Sequence, residues 1–135
     1  MSPRNARMFS RLFVFAVTLS VAITPSAATQ DRWIDKTIRG MSLEEKVGQL
    51  FVANVYGRTA NTKDEGDVSA NQAMYGPQIR NADQLIDRYK LGGIVYFRWT
   101  NNLDEPGQIA RLSNGIQEAA LHQPEKIPML IATDQ

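Results

Sequence analysis

Residues 81–97, "NADQLIDRYKLGGIVYF", decide the fold class, because they read as a helix that runs directly into a strand. Asn81 is a favourable N-cap residue, and Gln84 stands at the capping-box position three residues later. The apolar side of this helix is predicted to consist of Leu85, Ile86 and Tyr89. One glycine of the Gly92-Gly93 pair is predicted to end the helix, and Ile94–Phe97 then form a buried strand.

The same alternation continues on both sides of this stretch. Before it, "QLFVANVY" (residues 49–56) predicts a strand. The residues expected to be extended and buried there are Leu50, Phe51, Val52 and Val55. After it, residues 104–123 predict a helix with Asp104 as its cap and Pro106 in its first turn. The apolar stripe of that helix is predicted to contain Ile109, Leu112, Ile116 and Ala119. "IPMLIAT" (residues 127–133) predicts a third strand.

Strands that alternate with helices in this way predict an α/β fold built from parallel βαβ units. The strands are continuous apolar runs, which is typical of a sheet covered on both faces. Two architectures fit this pattern, an open doubly wound sheet and a (β/α)8 barrel. No glycine-rich phosphate loop supports the first, because Gly92-Gly93 precede a strand and do not open a helix.

The remaining segments flank this unit. A helix is predicted over residues 31–39, ended by Gly40, and Ser42 with Glu45 forms a capping box that starts the next helix. Residues 57–79 form a polar connection of 23 residues, with a short helical turn possible over Val68–Met74. A connection of this length is usually either functional or disordered.

The first 28 residues have the layout of a secretory signal peptide. Three arginines precede an apolar run over Leu12–Ile23, and small residues end the segment at Ala28. This run is short for a membrane span, which needs about 20 apolar residues. We therefore expect cleavage after Ala28, a mature domain over residues 29–135 that is secreted or extracytoplasmic, and no membrane attachment after cleavage.

Charge and composition exclude several kinds of partner. Beyond the predicted signal the chain has 12 basic and 14 acidic residues, a net charge of −2, without a basic patch, so nucleic acid is not an expected partner. The chain has no cysteine, which excludes disulfides and a lipoprotein anchor. No metal-ligand spacing occurs, and the lone His122 is predicted to be a solvated residue near a helix end. No metal or cofactor is expected.

In either architecture, functional residues gather at the carboxyl ends of the parallel strands. Tyr56 follows the first strand and Trp99 the second, and both suit stacking on a sugar ring or an aglycone, although local packing at a barrel rim is the favoured interpretation of each. Asp134 follows the third strand and is either a functional carboxylate or the N-cap of a following helix. One carboxylate does not make a glycoside hydrolase site, which usually needs two.

Arg98 also lies at this end, directly after the second strand. Its guanidinium can bind an anion or pair with Asp104 or Glu105. We predict that it pairs with one of these two acids.

Four segments carry a resemblance to a known family. "MSLEEKVGQLFV" (41–52), "LGGIVYF" (91–97), "NNLDEPGQIARLSNGIQEAA" (101–120) and "IPMLIATDQ" (127–135) resemble the N-terminal part of the family 3 glycoside hydrolase barrel. The similarity covers residues 31–135. In the secreted bacterial β-N-acetylhexosaminidase branch the strand ends in a similar "TDQ", whereas in the β-glucosidase branch the Asp precedes a His-Gly pair. Gln135 therefore favours the hexosaminidase branch.

This resemblance implies an incomplete (β/α)8 TIM barrel that stops after its third strand. It implies retaining hydrolysis of terminal β-linked N-acetylglucosamine in oligosaccharides, through a covalent glycosyl-enzyme and without metal or cofactor. Asp134 resembles a residue that holds sugar hydroxyls.

The family's nucleophile and acid/base lie on later strands and loops, so the resemblance assigns no catalytic residue to this chain. His122 lies upstream in a helix and does not match the acid/base His. We expect the chain alone to be inactive and to self-associate through open barrel edges. The alternatives are a β-glucosidase-type family 3 hydrolase, a non-catalytic carbohydrate-binding module and a non-functional truncated product.

Overall fold

The computed structural model describes residues 27–134, with side chains from Asp31 onward. Residues 1–26 of the predicted signal peptide, and Gln135, lie outside the described residues. The helices are α1 (Ala27–Gly40), α2 (Leu43–Gly48), α3 (Glu65–Tyr75), α4 (Ala82–Tyr89) and α5 (Pro106–Leu121), with a 3-10 turn over Arg98–Thr100. The strands are β1 (Val52–Ala53), β2 (Gly93–Tyr96) and β3 (Leu130–Thr133).

The three strands form one parallel sheet in the order β1-β2-β3. Val52 pairs with Gly93, Gly93 pairs with Leu130, and Tyr96 pairs with Thr133 at the carboxyl end. The α/β class and the parallel βαβ units are therefore confirmed. Strand β1 is shorter than predicted, with two residues in the ladder.

The core lies between the sheet and the two crossover helices, α4 and α5. Its most deeply buried side chains are Val55, Leu85, Ile86, Ile94, Tyr96, Leu112 and Ile116. Ile94 and Tyr96 face these helices, and successive residues of a strand point to opposite faces. The alternate residues, such as Val95 and Ala132, therefore face the other side of the sheet, which we call the open face.

The prediction that all three strands are covered on both faces is wrong. Only β2 is largely buried. Leu50, Phe51 and Val52 are exposed, and so is Leu130 of β3. The reason is that β1 and β3 are the two edges of the sheet, and no described element packs on the open face.

The predicted starts of α2 and α4 agree with the structure. The Ser42 N–H donates to Glu45 Oε2 at 2.6 Å, and the Glu45 N–H donates to Ser42 Oγ at 3.2 Å, which completes the capping box of α2. Asn81 caps α4 by accepting the N–H of Gln84 at 3.1 Å. Helix α1 covers the helix predicted over residues 31–39 and begins earlier.

Helix α4 does not end at a glycine, as predicted, but at Lys90, which adopts the left-handed conformation with φ 51°. The glycines nearby serve close packing instead. A Cβ on Gly92 would lie 2.1 Å from Gln49 O, and a Cβ on Gly48 would lie 2.2 Å from Tyr89 O. The end of α2 thus packs directly against the connection between α4 and β2.

Helix α5 begins differently from the prediction. Its N-cap position is Glu105 and not Asp104, and no side chain accepts a hydrogen bond there. Asp104 instead forms an ion pair with Arg58, which draws its carboxylate away from the helix. Pro106 occupies the first turn, as predicted.

The polar connection over residues 57–79 contains more structure than the predicted turn. Helix α3 has 11 residues, and Asp64 caps it by accepting the N–H groups of Gly66 and Asp67 at 2.9 and 3.1 Å. None of the helices in residues 27–134 combines the length and the apolar character needed to span a bilayer.

Candidate functional site

The carboxyl ends of the three strands meet at one edge of the sheet. The N–H of Asp134 donates to Tyr96 O at 3.0 Å, which extends the pairing of β3 with β2 to that edge. The 3-10 turn after β2 carries Arg98 and Trp99 to the same edge. The structure thus brings Trp99 and Asp134 together, as the strand-end argument predicts.

An aromatic cluster surrounds Trp99. The rings of Tyr56 and Trp99 meet edge to face with centroids 5.5 Å apart, and the rings of Phe97 and Trp99 are tilted by 32° at 4.9 Å. Trp99 remains 55% exposed. Trp99 therefore packs locally and still offers surface to a ligand, so neither interpretation of this residue excludes the other. Sequence reasoning missed Phe97, which it treated only as the last residue of a strand.

Beside this cluster lies an open cavity of about 660 Å³. Its lining consists of Phe97, Arg98, Trp99, Leu103, Asp104, Glu105, Pro106, Ile109 and Asp134. Tyr56 does not line the cavity, and its contact with Trp99 makes it a supporting residue. The volume falls within the range of small-molecule sites, about 300–1,000 Å³.

The acids around this cavity differ in their partners. Asp104 pairs with Arg58, and Glu105 pairs with Arg111 at 3.1 Å. The predicted pairing of Arg98 with either acid is therefore wrong, because arginines from the loop after β1 and from α5 take both acids. Within residues 27–134, the carboxylate of Asp134 has no hydrogen bond or ion pair.

Buried amide side chains fix the loops that carry these residues. Nδ2 of Asn102, which is fully buried, donates to Val55 O at 3.1 Å and to Gly57 O at 2.9 Å. The N–H of Gly57 donates to Thr100 O at 2.9 Å. The loop after β1 is thereby pinned to the 3-10 turn after β2.

A second buried amide holds Tyr56. Asn71 of α3 accepts the N–H of Tyr56 at 2.9 Å, and its Nδ2 donates to Tyr56 O at 2.9 Å and to Arg80 O at 3.1 Å. Sequence reasoning missed both amides. Asn102 follows a predicted strand closely, but Asn71 lies in the polar connection without such a signal, and the burial of both depends on contacts between distant segments.

Helix α3 also reaches the end of β1 through Tyr75. The Tyr75 hydroxyl donates to Asn54 O at 2.6 Å, and its burial raises the pKa of the phenol above the usual value. Nδ2 of Asn54 is buried and has no acceptor among the described residues. On the helix side of the sheet, burial likewise raises the pKa of Tyr96, whose hydroxyl lies 3.1 Å from Ser113 Oγ.

No group of three acids or histidines within residues 27–134 is placed to hold a metal ion. His122 follows α5 and is exposed, as predicted. It lines a polar cleft between α4 and α5 together with Asp83 and Glu118. Burial raises the pKa of Asp83, and the neighbouring Glu118 raises it further.

Comparisons with known proteins point to glycoside hydrolases, although no family model matches the chain. Beta-hexosaminidase A of Pseudoalteromonas piscicida is 34% identical over 96 residues, which are 70% of this chain and 15% of that protein. The structure of a glycoside hydrolase family 3 beta-N-acetylglucosaminidase from Paenibacillus sp. strain FPU-7 matches 71% of this chain with a TM-score of 0.51 and 34% identity. The match covers 14% of that structure, so this chain spans a small part of both relatives. These relatives confirm the resemblance to the hexosaminidase branch of family 3.

Proposed function

We propose that this chain, which is similar in sequence and in fold to the family 3 glycoside hydrolases, supplies part of a sugar-binding face for the hydrolysis of O-glycosidic bonds. The proposed substrate is an oligosaccharide with a terminal β-linked N-acetylglucosamine, in keeping with the names of both relatives. One observation carries the proposal. The carboxylate of Asp134, which is unpaired within residues 27–134, and the exposed ring of Trp99 line one cavity at the carboxyl edge of a parallel sheet.

The sheet supports an architecture for this face. Three parallel strands in sequential order, with both crossover helices on one side, are what the first three units of a (β/α)8 barrel would present. We propose that the chain forms this part of a barrel. The open face, with Val95 and Ala132, would then be the barrel interior, and the cavity beside Trp99 would lie at the catalytic end.

Each residue of the face has a proposed role. Asp134 accepts hydrogen bonds from sugar hydroxyls, and such bonds to a charged group contribute about 1.5–3 kcal/mol each. Trp99 stacks on the apolar face of a sugar ring, and Tyr56 holds Trp99 in place from its edge.

The proposed reaction is a retaining double displacement, which needs two carboxyl groups about 5–5.5 Å apart. The described cavity supplies one carboxylate without a cation partner, Asp134. Asp104 and Glu105 are each engaged in an ion pair with an arginine, so neither offers a second free carboxylate beside Asp134. We therefore propose that the nucleophile and the acid/base come from outside these residues and that the chain alone does not hydrolyse glycosides.

We further propose that the protein is exported and cleaved after Ala28. The basic n-region and the short apolar run Leu12–Ile23 support this proposal. Mass spectrometry of the exported protein should find a new N-terminus at Thr29. An intact Met1 in the membrane fraction would rule out cleavage.

A chimera tests the function. Residues 29–135 would replace the matching segment of the Paenibacillus enzyme, so that the rest of that protein supplies the missing groups. The chimera should hydrolyse 4-nitrophenyl β-N-acetylglucosaminide, and the isolated chain should not exceed the buffer rate. Preference for the matching β-glucoside would instead support the β-glucosidase alternative. A folded chimera that is inactive on both substrates would contradict the proposal.

A further inference from the structure

Asp67 is a buried carboxylate that has no cation beside it. The residue is 3% exposed and lies in the first turn of α3. Its Oδ2 accepts the hydroxyl of Thr62 at 3.1 Å, and its Oδ1 accepts Nδ2 of Asn101 at 2.7 Å. No lysine or arginine in residues 27–134 forms an ion pair with it. Burial of a charge is costly, and the two hydrogen bonds and the position in the first turn of α3 offset that cost.

The hydrogen bond to Asn101 joins two segments that lie 34 positions apart in the chain. Asn101 adopts the left-handed conformation with φ 63°, and its N–H donates to Arg98 O at 3.2 Å. This conformation is uncommon for residues other than glycine, although asparagine tolerates it. Asn101 is thus the residue that ends the 3-10 turn, and Asp67 holds its side chain.

The 3-10 turn carries Trp99, whose ring is half-exposed at the cavity. Asn102 fixes the chain immediately after the turn by its bonds to Val55 O and Gly57 O. Between these fixed points, the direction of the indole depends on the backbone of residues 98–101. The hydrogen bond between Asp67 and Asn101 ties this backbone to α3.

We propose that Asp67 is a positioning residue that, through Asn101, sets the orientation of Trp99 at the proposed sugar-binding face. The inference rests on the proposed function for its role in binding, but the geometry it asserts can be measured without any sugar. It also gives a function to the polar connection over residues 57–79, whose helix α3 presents the carboxylate.

The two tryptophans of the chain make Trp99 a usable reporter. In a Trp33→Phe background, Trp99 is the sole tryptophan. Asp67→Ala removes the bridge. Asp67→Asn keeps it, because the amide oxygen still accepts from Asn101 and the amide nitrogen donates to Thr62 Oγ1. Asn101→Gly removes the side chain but permits the left-handed backbone.

Asp67→Ala and Asn101→Gly should each red-shift the Trp99 emission and lower its anisotropy, whereas Asp67→Asn should match the parent. The double variant Asp67→Ala/Asn101→Gly should add nothing to either single change, since both remove one contact. The affinity for N,N′-diacetylchitobiose, measured by calorimetry, should fall several-fold in the two disruptive variants and recover in Asp67→Asn.

Unchanged emission and anisotropy in Asn101→Gly would overturn the inference, and so would an Asp67→Asn variant that behaves like Asp67→Ala. Because Asn101 is exposed, its variant keeps the test valid even if Asp67→Ala does not fold. If the parent chain does not bind the disaccharide, the fluorescence still decides whether Asp67 positions Trp99, and the chimera decides the proposed function separately.

Discussion

Three acids line the cavity beside Trp99, and they differ in whether an arginine pairs with them. Asp104 and Glu105 are engaged by Arg58 and Arg111, whereas the carboxylate of Asp134 has no partner within residues 27–134. A carboxylate at the end of a parallel strand that is not used for structure can accept hydrogen bonds from a ligand. At the scale of single residues, a substitution of Asp134 is therefore the most direct test of the proposed function.

We expect Asp134→Asn in the chimera to reduce kcat/KM for the aryl N-acetylglucosaminide by about ten- to several-hundred-fold, because charge-assisted hydrogen bonds weaken. Folding should be unchanged by circular dichroism. The matched control is Asp104→Asn, which removes a half-exposed ion pair worth about 0–1 kcal/mol and should change activity little. Equal kinetics for Asp134→Asn and the parent would favour the N-cap interpretation, since asparagine caps a helix as well as aspartate does.

The residue scale also shows where sequence reasoning stops. The caps Ser42 and Asn81 were predictable, because each partner lies three positions away in the chain. The ion pair of Asp104 was not predictable, because Arg58 approaches Asp104 across 46 positions in place of Arg98. The buried amides of Asn71 and Asn102 likewise gain their roles only when distant loops meet.

At the scale of elements, local sequence patterns predicted the order of helices and strands correctly. Most wrong predictions concerned where an element begins or ends and which side chains are exposed. The apolar runs around β1 and β3 were expected to be buried, because periodicity reports hydrophobicity and not which neighbours are present. The end of α4 was expected at a glycine, but Gly92 has another role. Its missing side chain lets the backbone of Gln49 approach so closely that a Cβ would clash with it. Tertiary packing decided both cases.

Gly48→Ala should therefore destabilise the chain by about 1–3 kcal/mol, because its Cβ would lie 2.2 Å from the backbone oxygen of Tyr89. The control is Gly40→Ala at the end of α1, where a Cβ would meet nothing within 4 Å. Urea unfolding followed by circular dichroism measures both. A Gly48→Ala midpoint equal to that of Gly40→Ala would contradict the packing of α2 against the connection between α4 and β2.

The acids in the cleft between α4 and α5 predict that the stability of the chain depends on pH. Burial and Glu118 raise the pKa of Asp83, while His122 opposes this. A raised pKa in the folded state means that folding favours the protonated acid, so stability is lost as the pH rises through that pKa. Asp83→Asn should therefore be more stable than the parent at pH 7, and this difference should shrink as the pH falls through the raised pKa toward the ordinary value of about 4. The exposed Asp87→Asn on the same helix is the control. A gain in stability from Asp83→Asn that is independent of pH would contradict this explanation.

At the scale of the whole molecule, the described chain leaves much apolar surface uncovered. A groove of about 770 Å³ runs along β1, and Phe51, Val52 and Leu130 are exposed at the two sheet edges. Covering one such side chain stabilises an assembly by about 1.5–3 kcal/mol. The proposed barrel would bury these edges within one protein.

The isolated chain should instead self-associate through them. Light scattering after gel filtration should give a mass above that of the monomer, and Phe51→Lys/Leu130→Lys should shift it toward the monomer. Leu121→Lys, which changes an exposed apolar residue on α5 away from the edges, should not. A parent chain that is monomeric at high concentration would show that the edges are protected in another way.

The most direct test is a crystal structure of the chimera with N-acetylglucosamine bound. The account predicts the sugar in the cavity at the carboxyl edge, with an oxygen of Asp134 within about 2.5–3.0 Å of a ring hydroxyl and the indole of Trp99 against the sugar. A sugar bound elsewhere, or an Asp134 carboxylate that accepts the N–H groups of a following helix and not the sugar, would contradict it.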